Sequence, residues 1–372
     1  MKVGGKRYKT VWARGGRGVF MINQNLLPFE FEIKKCGNHS QTVAAIKDMS
    51  VRGAGAIGAA AGFALAQAFL EAPQKSGKAF WEYASRAKRE IEASRPTAQN
   101  LFYATRRVYA AAKKAKTVVE AKKTAVREAQ AVADEDAATS RAIGVHGEPL
   151  IKNKRSKRGV TRVGTHCNAG WLAFVDWGTA LAPVYAARRK GKRVFVFVDE
   201  TGPRGQGARL TAWELRNERV PHVIIPDAAG AFFTAKGEID LMMVGADRIA
   251  ANGDAANKIG TLQRAIACAA YGVPFYVAAP TATFDLRCPN GERIPVEERS
   301  EDEVLFRSGP DEKGVMRRVL VANPGSKARN PSFDVTPAKL IAGIITEHGV
   351  IKRPNAAKIK AFFAKHCPER LR

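Results

Sequence analysis

The stretch VTRVGTHCNAG, residues 160–170, joins a short apolar run to a knot of small and polar residues. The same form recurs downstream. VFVFVD (194–199) runs into DETGPRGQG (199–207), IDLMMVGAD (239–247) into GADRIAANGDAANK (245–258), and PFYVAAP (274–280) into TATFD (281–285), while HVIIPD (222–227) is a further run of this kind. Each apolar run is followed by a helix-compatible segment. This alternation predicts parallel strands with crossover helices, an open doubly wound sheet. Such sheets bind ligands beyond the carboxyl ends of their strands, where the polar residues of this chain crowd. The pattern therefore points to a small-molecule site.

Toward the amino terminus the pattern changes. Residues 41–146 are mostly helical. In SRPTAQNLFYATRRVYAAAKK (94–114), Pro96 fits a first helical turn, and Leu101, Ala104, Val108 and Ala111 recur at helical spacing. A further helix is predicted to close at Gly144 or Gly147, and residues 1–35 read as short strands. The basic stretch GEPLIKNKRSKRG (147–159) separates the halves. The expected organisation is α/β: a mainly helical N-terminal domain with a small β-sheet over 1–147, then a parallel-sheet domain over 148–372.

VRGAGAIGAA (51–60) spaces Gly53, Gly55 and Gly58 as G-x-G-x-x-G. A dinucleotide loop needs a buried strand before the glycines, a helix after them, and an acid about 20 residues on. Only the helix is clear: QTVAAIKDMS (41–50) is amphipathic and Glu71 lies near a helix end. Two alternatives stay open. The backbone approaches a ligand where the helix begins, with Arg52 beside it to take negative charge, or the glycines serve close helix packing.

Composition excludes several classes. The apolar run at 56–70 is expected to be too short and too rich in glycine and alanine for a membrane span. MKVGGKRYKT lacks a signal-peptide core, so a cytoplasmic setting is expected. The five cysteines, Cys36, Cys167, Cys268, Cys288 and Cys367, form no C-x-x-C pair, so neither a disulfide framework nor a metal site is expected. Net charge is +26, with basic clusters at 113–116, 152–158 and 188–193. Such charge suits a nucleic acid, a phosphorylated small molecule or a solvated surface. No nucleic-acid-binding motif accompanies it, so nucleic acid is not an expected partner.

Cys167 follows the first apolar run and precedes WLAFVDWGTALAPVYAA (171–187), read as a helix. A thiol at a helix amino terminus gains thiolate character from unpaired amides and the helix dipole; a buried inert cysteine is the alternative. Asp247 should emerge at a strand end among apolar residues. Desolvated there, it would hold a proton at neutral pH and donate it; an ion pair with Arg248 or a loop cap is the other possibility. Asn257 and Lys258 precede a predicted helix, where a lysine makes an anion site.

RGAGAIG, SRPTAQNLF, THCNAGWLAFVDWGTALAPVY, DETGPRGQGARLTAWEL, VGADRIAANGDAANKIGT, PFYVAAP and NPSFDVTPAKLI occur in this order up to residue 341. Together they resemble the 5-methylthioribose-1-phosphate isomerase family, whose superfamily includes ribose-1,5-bisphosphate isomerases and the regulatory subunits of the translation-initiation guanine-nucleotide exchange factor. The resemblance implies a Rossmann-like C-terminal domain, a homodimer, a phosphorylated pentose substrate and no cofactor. It places substrate contacts on Arg52, Gly53, Ala54, Arg95, Gln206, Asn257 and Lys258. It makes Asp247 the proton donor and Cys167 the second catalytic residue. The implied reaction is an aldose-to-ketose isomerisation of methionine salvage. Many members carry proline where Gly55 stands and arginine where Gly202 stands, and the second change removes a charge near the expected pocket. Ribose 1,5-bisphosphate and 5-deoxyribose 1-phosphate are alternative substrates. A non-enzymatic regulatory protein is a third reading, although such subunits typically lack this cysteine and aspartate.

Overall fold

The computed structural model describes residues 1–74, 77–96, 98–152 and 159–371. They form two compact units, Met1–Arg141 with Gly170–Gly178, and Ala142–Ala169 with Thr179–Arg372. The division falls at 141/142, where the sequence placed it at 147/148, and a nine-residue stretch after the first apolar run belongs with the amino-terminal unit.

In the first unit, β1 (Lys2–Val3) pairs with β2 (Lys6–Arg7), and β3 (Val11–Arg14), β4 (Gly18–Ile22) and β5 (Ile33–Cys36) form an antiparallel sheet. Helices α1 (His39–Lys47), α2 (Ala54–Glu71), α3 (Gly77–Ser94) and α4 (Gln99–Lys113) follow, then α5 (Val118–Gly147), whose last residues belong to the second unit. α2 is rich in alanine, the strongest helix former. It packs against α1, α3 and α4, burying Ile57, Phe63, Leu65 and Phe69, each worth about 1.5–3 kcal/mol of apolar transfer.

Two expectations change here. α2 extends beyond the apolar run to Glu71 and is long and apolar enough to cross a membrane, contrary to the length argument, yet 83% of it is buried as a core helix. Pro96 lies ahead of α4, which starts at Gln99. The segment before Gly53 is helical, so the strand that a dinucleotide fingerprint requires is replaced by α1.

The second unit is built on a sheet of β6 (Thr161–Thr165), β7 (Val194–Asp199), β8 (His222–Ile225), β9 (Leu241–Val244), β12 (Phe275–Ala278), β17 (Gly343–Thr346) and β18 (Gly349–Lys352). Their order is β18-β17-β12-β9-β6-β7-β8. All neighbours are parallel except β17 and β18. The crossovers include α6 (Ala182–Arg189), α7 (Ala212–Asn217), α8 (Ala229–Ala235) and α9 (Thr261–Ala270). A second sheet, β13-β10-β11-β16, contains β10 (Arg248–Ala250), β11 (Ala255–Lys258), β13 (Phe284–Asp285) and β16 (Phe333–Thr336). A short α10 (Asp302–Leu305), the hairpin of β14 (Phe306–Pro310) and β15 (Met316–Leu320), and α11 (Ala356–His366) complete the unit.

The helix expected directly after Cys167 does not form. Trp171–Ala173 make one 3-10 turn, and α6 begins only at Ala182. The backbone of 171–175 instead bonds to other parts of the first unit. Trp171 O accepts from Thr10 Oγ1, Leu172 O from Gln24 Nε2, and Val175 O from Thr10 N, while Val175 N donates to Asp136. These partners satisfy the groups a helix would have paired internally.

Of the basic clusters, residues 153–158 lie outside the described residues. In 188–193, Lys190 and Lys192 pair with buried Glu148, Lys190 at 2.7 Å. That part of the cluster is structural.

Candidate functional site

β6 lies inside the large sheet, where the winding reverses. β7 and β8 extend to one side of it, and the chain then returns to place β9 on the other. Ligand crevices open at such reversals, beyond the carboxyl ends of the flanking strands. Cys167 follows β6 and Asp247 follows β9. The two loops lie side by side: a Cβ built on Gly245 would be 2.7 Å from the Ala169 Cβ, and Thr165 Oγ1 donates to Met243 O at 2.9 Å.

Cys167 is held by its backbone. Its N–H donates to Thr201 Oγ1 at 2.8 Å and its carbonyl accepts from Thr211 Oγ1 at 2.7 Å. Thr201 in turn donates to Asp199 O, and the amides of Thr201 and Gly202 donate to the two oxygens of Asp227. Cys167 and Thr201 both adopt left-handed backbone, φ 64° and 63°, which side chains other than glycine rarely enter. Beneath them Asn168 donates to Glu214, which also accepts from the Tyr185 hydroxyl at 2.8 Å. Burial and the Glu214 charge push the Tyr185 hydroxyl well above its ordinary value. Cys167 is half-buried, whereas Cys36, Cys268, Cys288 and Cys367 are buried. Without the expected helix, dipole activation of its thiol loses its basis.

Asp247 is exposed, so the burial that would keep it protonated is not met in this conformation. Its amide donates to Ala256 O at 2.9 Å. Arg248, the partner considered for Asp247, pairs with Asp285 at 3.6 Å. Asn257 and Lys258 end β11. Asn257 Nδ2 donates to Thr261 Oγ1 at 3.0 Å, and Lys258 Nζ donates to Ser332 O at 2.7 Å and lies over the Phe333 ring. In the loop after β7, Gln206 Oε1 is buried and has no hydrogen-bond partner among the described residues. It is an acceptor waiting for a donor.

His166, Asp199 and Asp227 each offer a ligand atom within 4.8 Å of the others. Arg264 supplies the cation instead: Nε and Nη2 bond the two Asp199 oxygens at 2.5 and 2.6 Å. This buried pair fits a structural brace better than a metal centre.

The first unit carries Arg52, Gly53, Ala54 and Arg95. Gly53 has φ +90°, and a Cβ there would sit 2.3 Å from the Ala173 Cα, so only glycine fits this turn. No side chain caps α2 at Gly53, which leaves its first amides available to an anion. The other two glycines serve packing: a Cβ at Gly55 would meet Asp136 Oδ1 at 2.1 Å, and one at Gly58 would lie 3.1 Å from Asn100 O. That second approach sets the start of α4, which follows Arg95, beside α2. Asp136 is pushed up to about 7 by burial, against the Val175 amide and helped by Asp176.

Sequence reasoning missed the braces behind Cys167: His166, Asp199, Thr201, Thr211, Glu214 and Arg264. Asp199 ending an apolar run was the available signal.

The initiation factor 2 subunit family is matched over residues 50–353. A methylthioribose-1-phosphate isomerase of Methylorubrum extorquens is 46% identical over 354 residues, covering 94% of this chain and 95% of that protein. Another from Roseiflexus castenholzii is 46% identical, covering 93% and 95%. The crystal structure of 5-methylthioribose 1-phosphate isomerase from Pyrococcus horikoshii OT3 superposes with a TM-score of 0.87 at 38% identity, covering 97% of both chains. A structure from A. fulgidus described as translation initiation factor eIF-2B, subunit delta, gives 0.83 at 36% identity, covering 96% of this chain and 100% of that one.

Proposed function

The chain belongs to the initiation factor 2 subunit family, in its methylthioribose-1-phosphate isomerase branch, and from that membership we propose that it converts 5-methylthioribose 1-phosphate to 5-methylthioribulose 1-phosphate. The observation that carries the reading is the placement of Cys167 and Asp247 after the two strands that flank the winding reversal. Phosphate on the anomeric oxygen locks an aldose 1-phosphate in its ring, so an acid must first open it. Asp247 donates a proton to the ring oxygen. A carboxyl that keeps its proton at neutral pH needs desolvation, which the exposed Asp247 acquires when substrate covers it. Hydrogen then moves from C2 to C1, with Cys167 as acid/base or stabiliser of an enediol-like intermediate, or as a direct hydride shift. In the second unit Lys258 takes the phosphate, while Gln206 and Asn257 bond sugar hydroxyls. The orphaned Gln206 acceptor supports its part. No cofactor is required, and the five cysteines, which form no disulfide among the described residues, fit a reducing cytoplasm. The working form is a homodimer.

A coupled assay on 5-methylthioribose 1-phosphate, ribose 1,5-bisphosphate and 5-deoxyribose 1-phosphate tests the substrate. Run in deuterated water, it separates the routes: label at product C1 excludes a pure hydride shift. Asp247→Asn and Cys167→Ser should each remove most turnover in folded protein. The A. fulgidus likeness favours a second reading, a regulatory subunit without catalysis, which predicts no turnover of any of the three sugars.

A further inference from the structure

We propose that His166 is a positioning residue that ties the strand end bearing Cys167 to the turn following Lys258. This rests on the isomerase reading and adds a residue to which the motif assignment gives no role. His166 is 1% exposed and immediately precedes Cys167. Its ring bridges two elements: Nδ1 lies 2.8 Å from Asp199 Oδ2, and Nε2 lies 2.8 Å from the carbonyl oxygen of Ile259. One ring therefore spans the end of β7 and the turn after β11.

Both ends of the bridge are fixed. Asp199 is gripped by Arg264 through two bonds, and the guanidinium fills space that only glycine at 230 leaves, since a Cβ there would sit 1.3 Å from Nη1. The Ile259–Gly260 turn is clamped from its other side by Asp334, which accepts from the amides of Gly260 at 2.7 Å and Leu262 at 3.0 Å. Gly260 has φ +99°, and a Cβ there would meet the His166 Cε1 at 2.9 Å, so the turn rests directly on the ring. One link from Cys167 to Lys258 therefore runs through this side chain: Cys167, His166, the Ile259 carbonyl, Lys258. Losing it lets thiol and ammonium drift relative to each other, and misplacement of about 1 Å costs on the order of 100-fold in rate.

Asparagine and glutamine separate the two halves of the bridge, because an asparagine amide sits where Nδ1 was and a glutamine amide where Nε2 was. His166→Asn keeps the Asp199 contact and drops Ile259, so kcat should fall about 100-fold with KM changed by less than about threefold. His166→Gln keeps Ile259 and should recover at least about tenfold over asparagine. Iodoacetamide provides a readout independent of turnover. Cys167 is the half-buried cysteine among four buried ones, and its alkylation rate should change in His166→Asn and return toward wild type in His166→Gln. A purely structural histidine would lower the melting temperature of both variants and leave kcat and alkylation of the folded protein alike. Folded His166→Asn with wild-type kcat, or glutamine no better than asparagine, overturns the proposal. If His166→Asn does not fold, Gly260→Ala, which pushes the turn off the ring, must depress kcat. Unchanged turnover there overturns it equally. Absence of isomerase activity in the wild type would instead defeat the substrate reading, and the alkylation comparison would still test the bridge.

Discussion

Replacing Asp136 by asparagine should change how stability depends on pH, in a direction fixed by its surroundings. The carboxylate lies on α5, accepts the Val175 amide at 2.7 Å and packs against Gly55 at the start of α2. Burial pushes it up to about 7 from 3.8. The folded chain therefore holds this proton more tightly than the unfolded chain. Its contribution to stability is full below about pH 3.8 and is lost as pH rises through about 7. At about 1.36 kcal/mol per unit the shift has a ceiling of about 4 kcal/mol. Because Asp136 keeps some surface, we expect about 2–4 kcal/mol. Asparagine retains the acceptor for Val175 and cannot ionise, so its unfolding free energy minus that of wild type should rise by that amount between pH 4 and 8. Urea unfolding followed by tryptophan fluorescence measures it, since Trp12, Trp81, Trp171 and Trp177 lie in this unit. Trp213→Phe removes the signal from the other unit. A difference that stays flat with pH would refute the assignment of this carboxyl as protonated in the folded chain.

Other changes probe the candidate site and its supports. Gly53→Ala forces a Cβ to within 2.3 Å of Ala173 at φ +90° and should cost more than about 2 kcal/mol, read as a lowered urea midpoint. A Cβ built on Gly202 meets nothing closer than Asp227 Oδ2 at 3.5 Å, so Gly202→Arg should start from an open position, fold normally and show a lower, salt-sensitive KM for a sugar phosphate; an unchanged KM would place residue 202 away from the substrate. Burial raises the Glu148 carboxyl, but Lys190 and Lys192 outweigh it and hold it below 4.5. Glu148→Gln should cost about 1–2 kcal/mol at pH 7, and this penalty should vanish in acid as the wild-type carboxyl takes up its proton.

Five of the six parallel strands, β6, β7, β8, β9 and β12, were legible because each is an apolar run ended by polar residues, whereas β17 was not read. Cys167 and Asp247 were singled out for the same reason, because each stands just past such a run. The segment 171–181 was not. Trp171, Leu172 and Val175 are as apolar as a helix face, but whether their backbone bonds internally or to Thr10, Gln24 and Asp136 depends on residues far away in sequence. The same holds for His166. Beside Cys167 it reads as a poor chelating pair, and its partners lie far off in sequence, Asp199 at the end of β7 and Ile259 in the turn after β11. The fingerprint glycines divide by neighbour as well: Gly53 makes a turn, while Gly55 and Gly58 admit Asp136 and α4.

The backbone at the strand ends argues for function independently of any motif. Cys167 and Thr201 each hold a left-handed conformation at a cost of about 1–3 kcal/mol, and the two are joined by the bond from Cys167 N to Thr201 Oγ1. The strain is offset by bonds that all converge on the same two residues: Asp227 on the Thr201 amide, Asp199 O on its hydroxyl, and Thr211 on the Cys167 carbonyl. Burying Asp199, Arg264 and His166 to brace these turns adds a desolvation cost that a well-packed apolar cluster would avoid. A chain that retains both costs at one point gains orientation there, and the backbone so held is that of Cys167.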